Sequence, residues 1–298
     1  MAEATGAAST GEPSSAVARV RAGGGAPRRS GRNVPVATAV GVTLAALVLV
    51  SLYTVVEAFV VVVALAVVIG VYEVCHVLAS RDIVVPVVPL MVGGAAMVVA
   101  AYADGTDALS VTLALTVLTV AAARITSPLD LPPERLVPDL MVSAFVAVYV
   151  PLLAASAVLM AAADDGPDRV VVFILAVVLS DTGGFAAGVR FGKHPLAPSV
   201  SPKKSWEGLA GSVVAATVGS ALAVPLLLGA EWWQGALVGL VAVATATAGD
   251  LAESLLKRDL GVKDMGRLLP EHGGIMDRLD SLLPTAPVMA LVLAAILG

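Results

Sequence analysis

The sequence predicts an all-α, polytopic membrane protein, with about nine transmembrane helices around a polar cavity that opens to the cytoplasm. Three observations carry that prediction. Hydrophobic residues make up 58% of the 298 residues and charged residues only 14%, where soluble domains hold roughly 45–50% and about 25%. Apolar runs close to the ~20 residues that a helix needs to cross a bilayer follow one another from Val34 to the end, separated by short polar breaks. The basic residues gather in alternate breaks.

Residues 1–33 differ from the rest: they are rich in Gly, Ala, Ser and Pro, carry Arg19, Arg21, Arg28, Arg29 and Arg32, and contain no apolar block that could serve as a signal-peptide core. They read as a disordered basic cytoplasmic arm, a solvated tail and not a nucleic-acid-binding element. Length then places spans at about 34–54, 57–79, 84–103, 107–125 and 138–162, which form an N-terminal membrane region, 34–162. Further spans at about 168–188, 208–229, 233–256 and 283–297 belong to a C-terminal region, 163–298, that holds the polar motifs. The first boundary is soft, because Glu57 is the only charge between Arg32 and Glu73, and the last span is short for a bilayer. With the N-terminus in the cytoplasm of a multi-pass cell (inner) membrane protein, alternation brings every Lys and Arg except Arg169 to the cytoplasmic side, as the positive-inside rule requires. Asp104, Asp107, Asp164, Asp165, Asp168 and Glu231 then face outward, with Trp232 and Trp233 as an interfacial anchor. The lone Cys75 excludes an internal disulfide, and no paired Cys/His spacing suggests zinc.

Two cytoplasmic stretches carry chemistry. In "LSDTGGFAAGVRFGKHPLAPSVSPKKSWEG", from Leu179 to Gly208, Asp181 falls at membrane depth, where an acid is costly unless paired, wetted or metal-bound, so its default reading is functional. Lys203 and Lys204, flanked by Ser201 and Ser205, suit phosphate oxygens, the lysines as point charges and the hydroxyls as donors. In "GDLAESLLKRDLGVKDMGRLLPEHGGIMDRLDS", Asp250, Glu253, Ser254 and Lys257 follow at i, i+3, i+4 and i+7, so one helical face turns polar toward the cytoplasm. Asp277 and Asp280 repeat the i, i+3 spacing on a short helix opened by Gly273 and Gly274, whose N–H groups could approach phosphate oxygens. Hard carboxylates from two segments point to Mg2+ and not zinc. His272 suits a phosphate contact, a proton carrier or a structural hydrogen bond. No P-loop or Rossmann fingerprint lies between a strand and a helix, so a nucleotide would be held in some other way.

The pattern S-x-x-K-R-x4-K-D-x-G-x2-L-P-x-H-G-G-x-x-D-R-x-D, from Ser254 to Asp280, resembles the signature of the bacterial phosphatidate cytidylyltransferase (CDP-diacylglycerol synthase) family. "SDTGG", "FGKHPLAPSVSPKKSWEG" and "GDLAES" resemble that family's other motifs in the same order, and together they cover about the last 120 residues. Phe185 stands where the family usually has Tyr, Ser205 where Thr is common, Arg267 where Asn is common and Glu271 where Gly is usual. The resemblance implies that CTP and phosphatidic acid become CDP-diacylglycerol and pyrophosphate at the inner leaflet, with magnesium, and that the chain is a homodimer. It supports Asp250 and Asp277 as metal ligands; whether a second, monovalent cation such as K+ joins them is left open. Lys257 is assigned to catalysis with them, and Lys203, Lys204, Ser201, Ser205, Ser254, His272, Gly273, Gly274, Arg278 and Asp181 to substrate and phosphate binding. Two other readings are weighed: a CTP-dependent transferase for an isoprenoid or ether lipid phosphate, and a secondary transporter relaying cations through Asp181 and Asp250. The hydropathy shows no paired inverted halves, which argues against the transporter.

Overall fold

The computed structural model describes residues 34–127, 132–268 and 273–297. The arm expected over 1–33, Glu271 and His272 lie outside those residues. In lipid a backbone must satisfy its own N–H and C=O groups, so Val-, Ala- and Leu-rich runs form helices. They are α1 (Val34–Thr54), α2 (Val56–Ala79), α3 (Val87–Ile125), α4 (Leu136–Ala147), α5 (Leu153–Ala161), α6 (Gly166–Phe191), α7 (Trp206–Leu228), α8 (Trp232–Asp259), α9 (Met276–Leu279) and α10 (Leu282–Leu297). A π-helical turn, Val148–Leu152, joins α4 to α5 and takes up Pro151, whose missing N–H an α-helix would leave as a gap.

Among the described residues seven helical segments are long and apolar enough to span a bilayer, where the sequence predicts about nine. The difference has two sources. In α1 only Thr38–Thr54 counts, as a shorter apolar helix. The 39-residue α3 merges two expected spans, and its backbone leaves helical geometry at Gly105, with φ 70° and ψ −146°. A Cβ on Gly93 would stand 2.4 Å from Thr116, although a straight helix would separate those positions by roughly 35 Å. The segment therefore doubles back at Gly105, at a left-handed turn that a side chain would strain.

The first half is pinned by a buried ion pair. Arg124, at the end of α3, donates to Asp139 Oδ2 on α4 from Nε at 2.9 Å and from Nη2 at 2.7 Å, with both side chains almost fully buried. The second half packs α6, α7 and α8 side by side. Gly183 and Gly211 bring α6 and α7 backbone to backbone: a Cβ on Gly183 would lie 2.6 Å from the Gly211 carbonyl oxygen, and one on Gly211 2.5 Å from that of Gly183. Ser212 Oγ donates to the Ser180 carbonyl across the same seam at 2.6 Å. The cytoplasmic stretch that carries Lys203 and Lys204 forms an antiparallel hairpin, β1 (Pro195–Ala197) with β2 (Ser201–Ser205). Two prolines fit because a two-stranded ribbon is all edge.

Candidate active site

Lys203 and Lys204 project from β2, and Lys203 lines two recesses. One, of about 290 Å³, lies between α6, α7, α8 and the hairpin and is bordered by Asp181, Asp250, Lys204, Ser205 and Thr247, with Phe185 and Leu209 on its apolar side. The other, of about 390 Å³, is bordered by Ser201, Ser254, Lys257, Arg258 and Lys263. The hairpin is fastened at both ends. Arg258 Nε donates to the Val200 carbonyl, and Glu207, in the first turn of α7, accepts from the N–H groups of Lys193 (3.1 Å) and His194 (3.3 Å) and pairs with His194 Nδ1 (2.6 Å). Ser205 caps α7 by accepting from Gly208 N–H at 3.1 Å, which leaves its hydroxyl proton free to donate.

Each proposed metal carboxylate is met by a lysine. Lys204 Nζ pairs with Asp250 Oδ2. Lys257 Nζ lies 3.0 Å from Glu253 Oε1 and 3.1 Å from Asp277 Oδ1. Asp277 is buried on α9 and organises the segment before it, accepting from the N–H groups of Met265 (3.0 Å), Gly266 (3.4 Å) and Gly274 (2.9 Å) at Oδ2. Gly273, with φ 81°, supplies the left-handed turn that lets the chain wrap this carboxylate. Asp181 Oδ2 accepts from Ser281 Oγ at 3.3 Å, which ties α6 to the junction before α10. Asp280 accepts from the Ser281 N–H at 2.8 Å and senses the charge of Asp250. Arg278 is exposed and lies within electrostatic reach of both Asp181 and Asp280.

The donor chemistry suits a divalent cation. Asp181, Asp250, Glu253, Asp277 and Asp280 form a chain of mutually repelling carboxylates, against the cations of Lys204, Lys257 and Arg278. Five carboxyl groups thus face three cations. Glu253 is fully buried, and neither of its oxygens accepts a hydrogen bond with sound geometry, despite the ion pair to Lys257. All the available ligands are hard oxygens, which magnesium prefers. Among the described residues no three His, Cys, Asp or Glu side chains are already gathered as ligands. Lysine ammonium groups thus compensate the carboxylates that a metal would share.

Sequence reasoning missed Glu73 and Arg81, both on or just after α2. Arg81 Nε donates to the Leu260 carbonyl at 2.7 Å, at the end of α8. Glu73 is buried and accepts from the N–H groups of Ile275 (3.2 Å) and Met276 (2.9 Å). An acid inside an apolar span was the available signal for Glu73; nothing in the sequence said what it touches.

A sequence model described as the cytidylyltransferase family matches residues 35–296. The chain is 41% identical over 272 residues to the phosphatidate cytidylyltransferase of Mycobacterium leprae, covering 87% of each chain. It is 38% identical over 274 residues to the enzyme of the same name from Mycobacterium bovis, covering 89% of this chain and 90% of that one. A phosphatidate cytidylyltransferase of Haemophilus influenzae is 45% identical over 121 residues, or 39% of this chain and 42% of the relative.

Proposed function

The chain belongs to the cytidylyltransferase family, and from that premise we propose how it converts CTP and phosphatidic acid into CDP-diacylglycerol and pyrophosphate. The observation that carries the mechanism is the placing of Lys203 between two recesses of different character. The outer one, with Lys257, Arg258, Lys263, Ser201 and Ser254, has the cations and hydroxyls to hold the triphosphate of CTP. The inner one offers Lys204 and the free Ser205 proton to a lipid phosphate, and its apolar side at Phe185 and Leu209 leads toward the acyl region. Lys203 touches both anions.

A phosphatidate oxygen attacks the α-phosphorus of CTP. The new P–O bond forms as the bond from the α-phosphorus to the bridging oxygen breaks, and the electron pair leaves with pyrophosphate. The lipid phosphate is already largely ionised, so the reaction needs no strong base, and positioning and charge neutralisation carry it. Asp250 and Asp277 would hold magnesium, which supplies charge neutralisation on the nucleotide and its leaving group. Lys204 and Lys257, now paired with those carboxylates, would then turn their ammonium groups to phosphate oxygens. Gly273 and Gly274 keep their assignment to phosphate binding through the loop they open, with Gly274 N–H also holding Asp277. The active face is cytoplasmic, with the N-terminus on the same side and the lipid drawn from the inner leaflet. On the resemblance alone, two copies of the chain form a homodimer.

Pyrophosphate release by the purified chain, measured with CTP and a panel of lipid phosphates, tests the assignment. Turnover with phosphatidate and none with isoprenyl phosphates or without lipid is the expected result. Equal turnover with an isoprenyl phosphate would favour the other lipid substrate, and none with any lipid would sink the reading.

A further inference from the structure

α2 lies in the half of the chain where the sequence shows only apolar spans, yet it carries a buried carboxylate, Glu73, 5% exposed. Glu73 Oε1 accepts from Ile275 N–H and Oε2 from Met276 N–H, the two residues directly before Asp277. On its other side that segment is gathered by Asp277 itself, through the N–H groups of Met265, Gly266 and Gly274. Two carboxylates, one on α2 and one on α9, therefore organise the same stretch of backbone.

A second observation points the same way. A Cβ on Gly266 would stand 2.1 Å from Glu73 Oε1, and one on Gly274 2.3 Å from Glu73 Oε2; in both cases the nearest atoms all belong to Glu73. Neither glycine has a positive φ, so glycine is required there by space and not by backbone conformation. Arg81, two turns further along, holds the Leu260 carbonyl. α2 and the turn that follows it thus hold both ends of the connection from α8 to α9.

We propose that Glu73 is a positioning residue for cytidylyl transfer: it fixes the backbone at Ile275 and Met276 and so the direction in which Asp277 and Arg278 present their charges. The proposal rests on the cytidylyltransferase reading of the site. Glu73 touches neither recess, so it acts through the loop. Hydrogen bonds from N–H to a buried carboxylate are among the stronger ones, and both oxygens are used.

The test uses the full chain in detergent with phosphatidate, CTP and magnesium. Glu73→Gln keeps the shape but turns an amide NH2 toward one of the two N–H donors. Its kcat should fall roughly tenfold or more, the scale set by losing one hydrogen bond to a charged group. KM for CTP should stay within about twofold, because the outer recess is untouched. Gly274→Ala should also cut turnover by driving a methyl group into the Glu73 carboxylate. Glu73→Asp withdraws that carboxylate by one methylene, so it should lower kcat beside Gly274 and raise it in the Gly274→Ala background. A role confined to bulk stability gives no such reversal of sign. Wild-type kcat for Glu73→Gln, or the same effect of Glu73→Asp in both backgrounds, would overturn the proposal. If Glu73→Gln does not fold, the Gly274 pair decides. A wild-type chain that releases no pyrophosphate would instead overturn the reading of the site and the proposal with it, and that control separates the two failures.

Discussion

Lys257 holds two positions at once, and removing its ammonium group separates them. Its Nζ lies 3.0 Å from Glu253 and 3.1 Å from Asp277, and it also borders the outer recess. Lys257→Met keeps most of the aliphatic stem and deletes the charge. Asp277 retains its backbone N–H donors, so the burden falls on Glu253, which is fully buried and has no hydrogen-bond donor in good geometry. Breaking one partner of a buried ion pair costs roughly 3–5 kcal/mol. Because the Lys257 side chain is 16% exposed, about 3 kcal/mol is the expected loss. Unfolding in detergent, followed by denaturant titration, measures it. Adding Glu253→Gln removes the buried carboxyl group left without its partner and should restore most of the stability while leaving pyrophosphate release low, because the phosphate contact proposed for Lys257 is still missing. Two results would refute the reasoning: a Lys257→Met protein as stable as wild type, or a double variant that regains wild-type turnover.

Asp250→Asn and Asp277→Asn should each abolish turnover while Asp280→Asn has a milder effect, since only the first two are assigned to the metal; rates across a magnesium titration on variants of unchanged elution profile check this. Asp139→Ala strands the Arg124 guanidinium in the first half, and should cost roughly 3–5 kcal/mol of stability with little change in KM for CTP, as read by unfolding and initial rates. Single cysteines at 165 and 231 in a Cys75→Ala background should react with an impermeant maleimide in intact cells, whereas one at 203 should not; labelling at 203 would invert the topology.

The membrane spans were legible because length and charge decide them with no tertiary information. α6, α7 and α8 fall within a few residues of the stretches predicted from apolar runs. The reversal at Gly105 shows the limit: the flanking Asp104 and Asp107 marked a loop, but the turn is so tight that helix runs almost to both sides of one glycine. The β1–β2 hairpin was not legible, because Ser-Pro-Lys-Lys-Ser lacks the β-branched alternation that signals a strand and is held by Arg258 and Glu207 from elsewhere. The charged members of the candidate site stood out in an apolar chain. Their partners did not: the pairing of Lys204 with Asp250 needs the hairpin to fold over α8, and the wrapping of Asp277 needs a twelve-residue excursion from Met265 to close on itself. Glu73 was visible as an intramembrane acid, but only the fold brings it to residues more than 200 positions away.

The most direct test of the central claim follows the α-phosphorus. The purified chain is given phosphatidate, magnesium and CTP radiolabelled at either the α- or the γ-phosphorus, and the products are partitioned between chloroform and water. Transfer of the cytidylyl group to lipid predicts that α-label enters the chloroform phase only when phosphatidate is present, while γ-label stays in water as pyrophosphate. Alpha-label that remains in water whatever lipid is supplied, or γ-label that reaches the lipid, would contradict it.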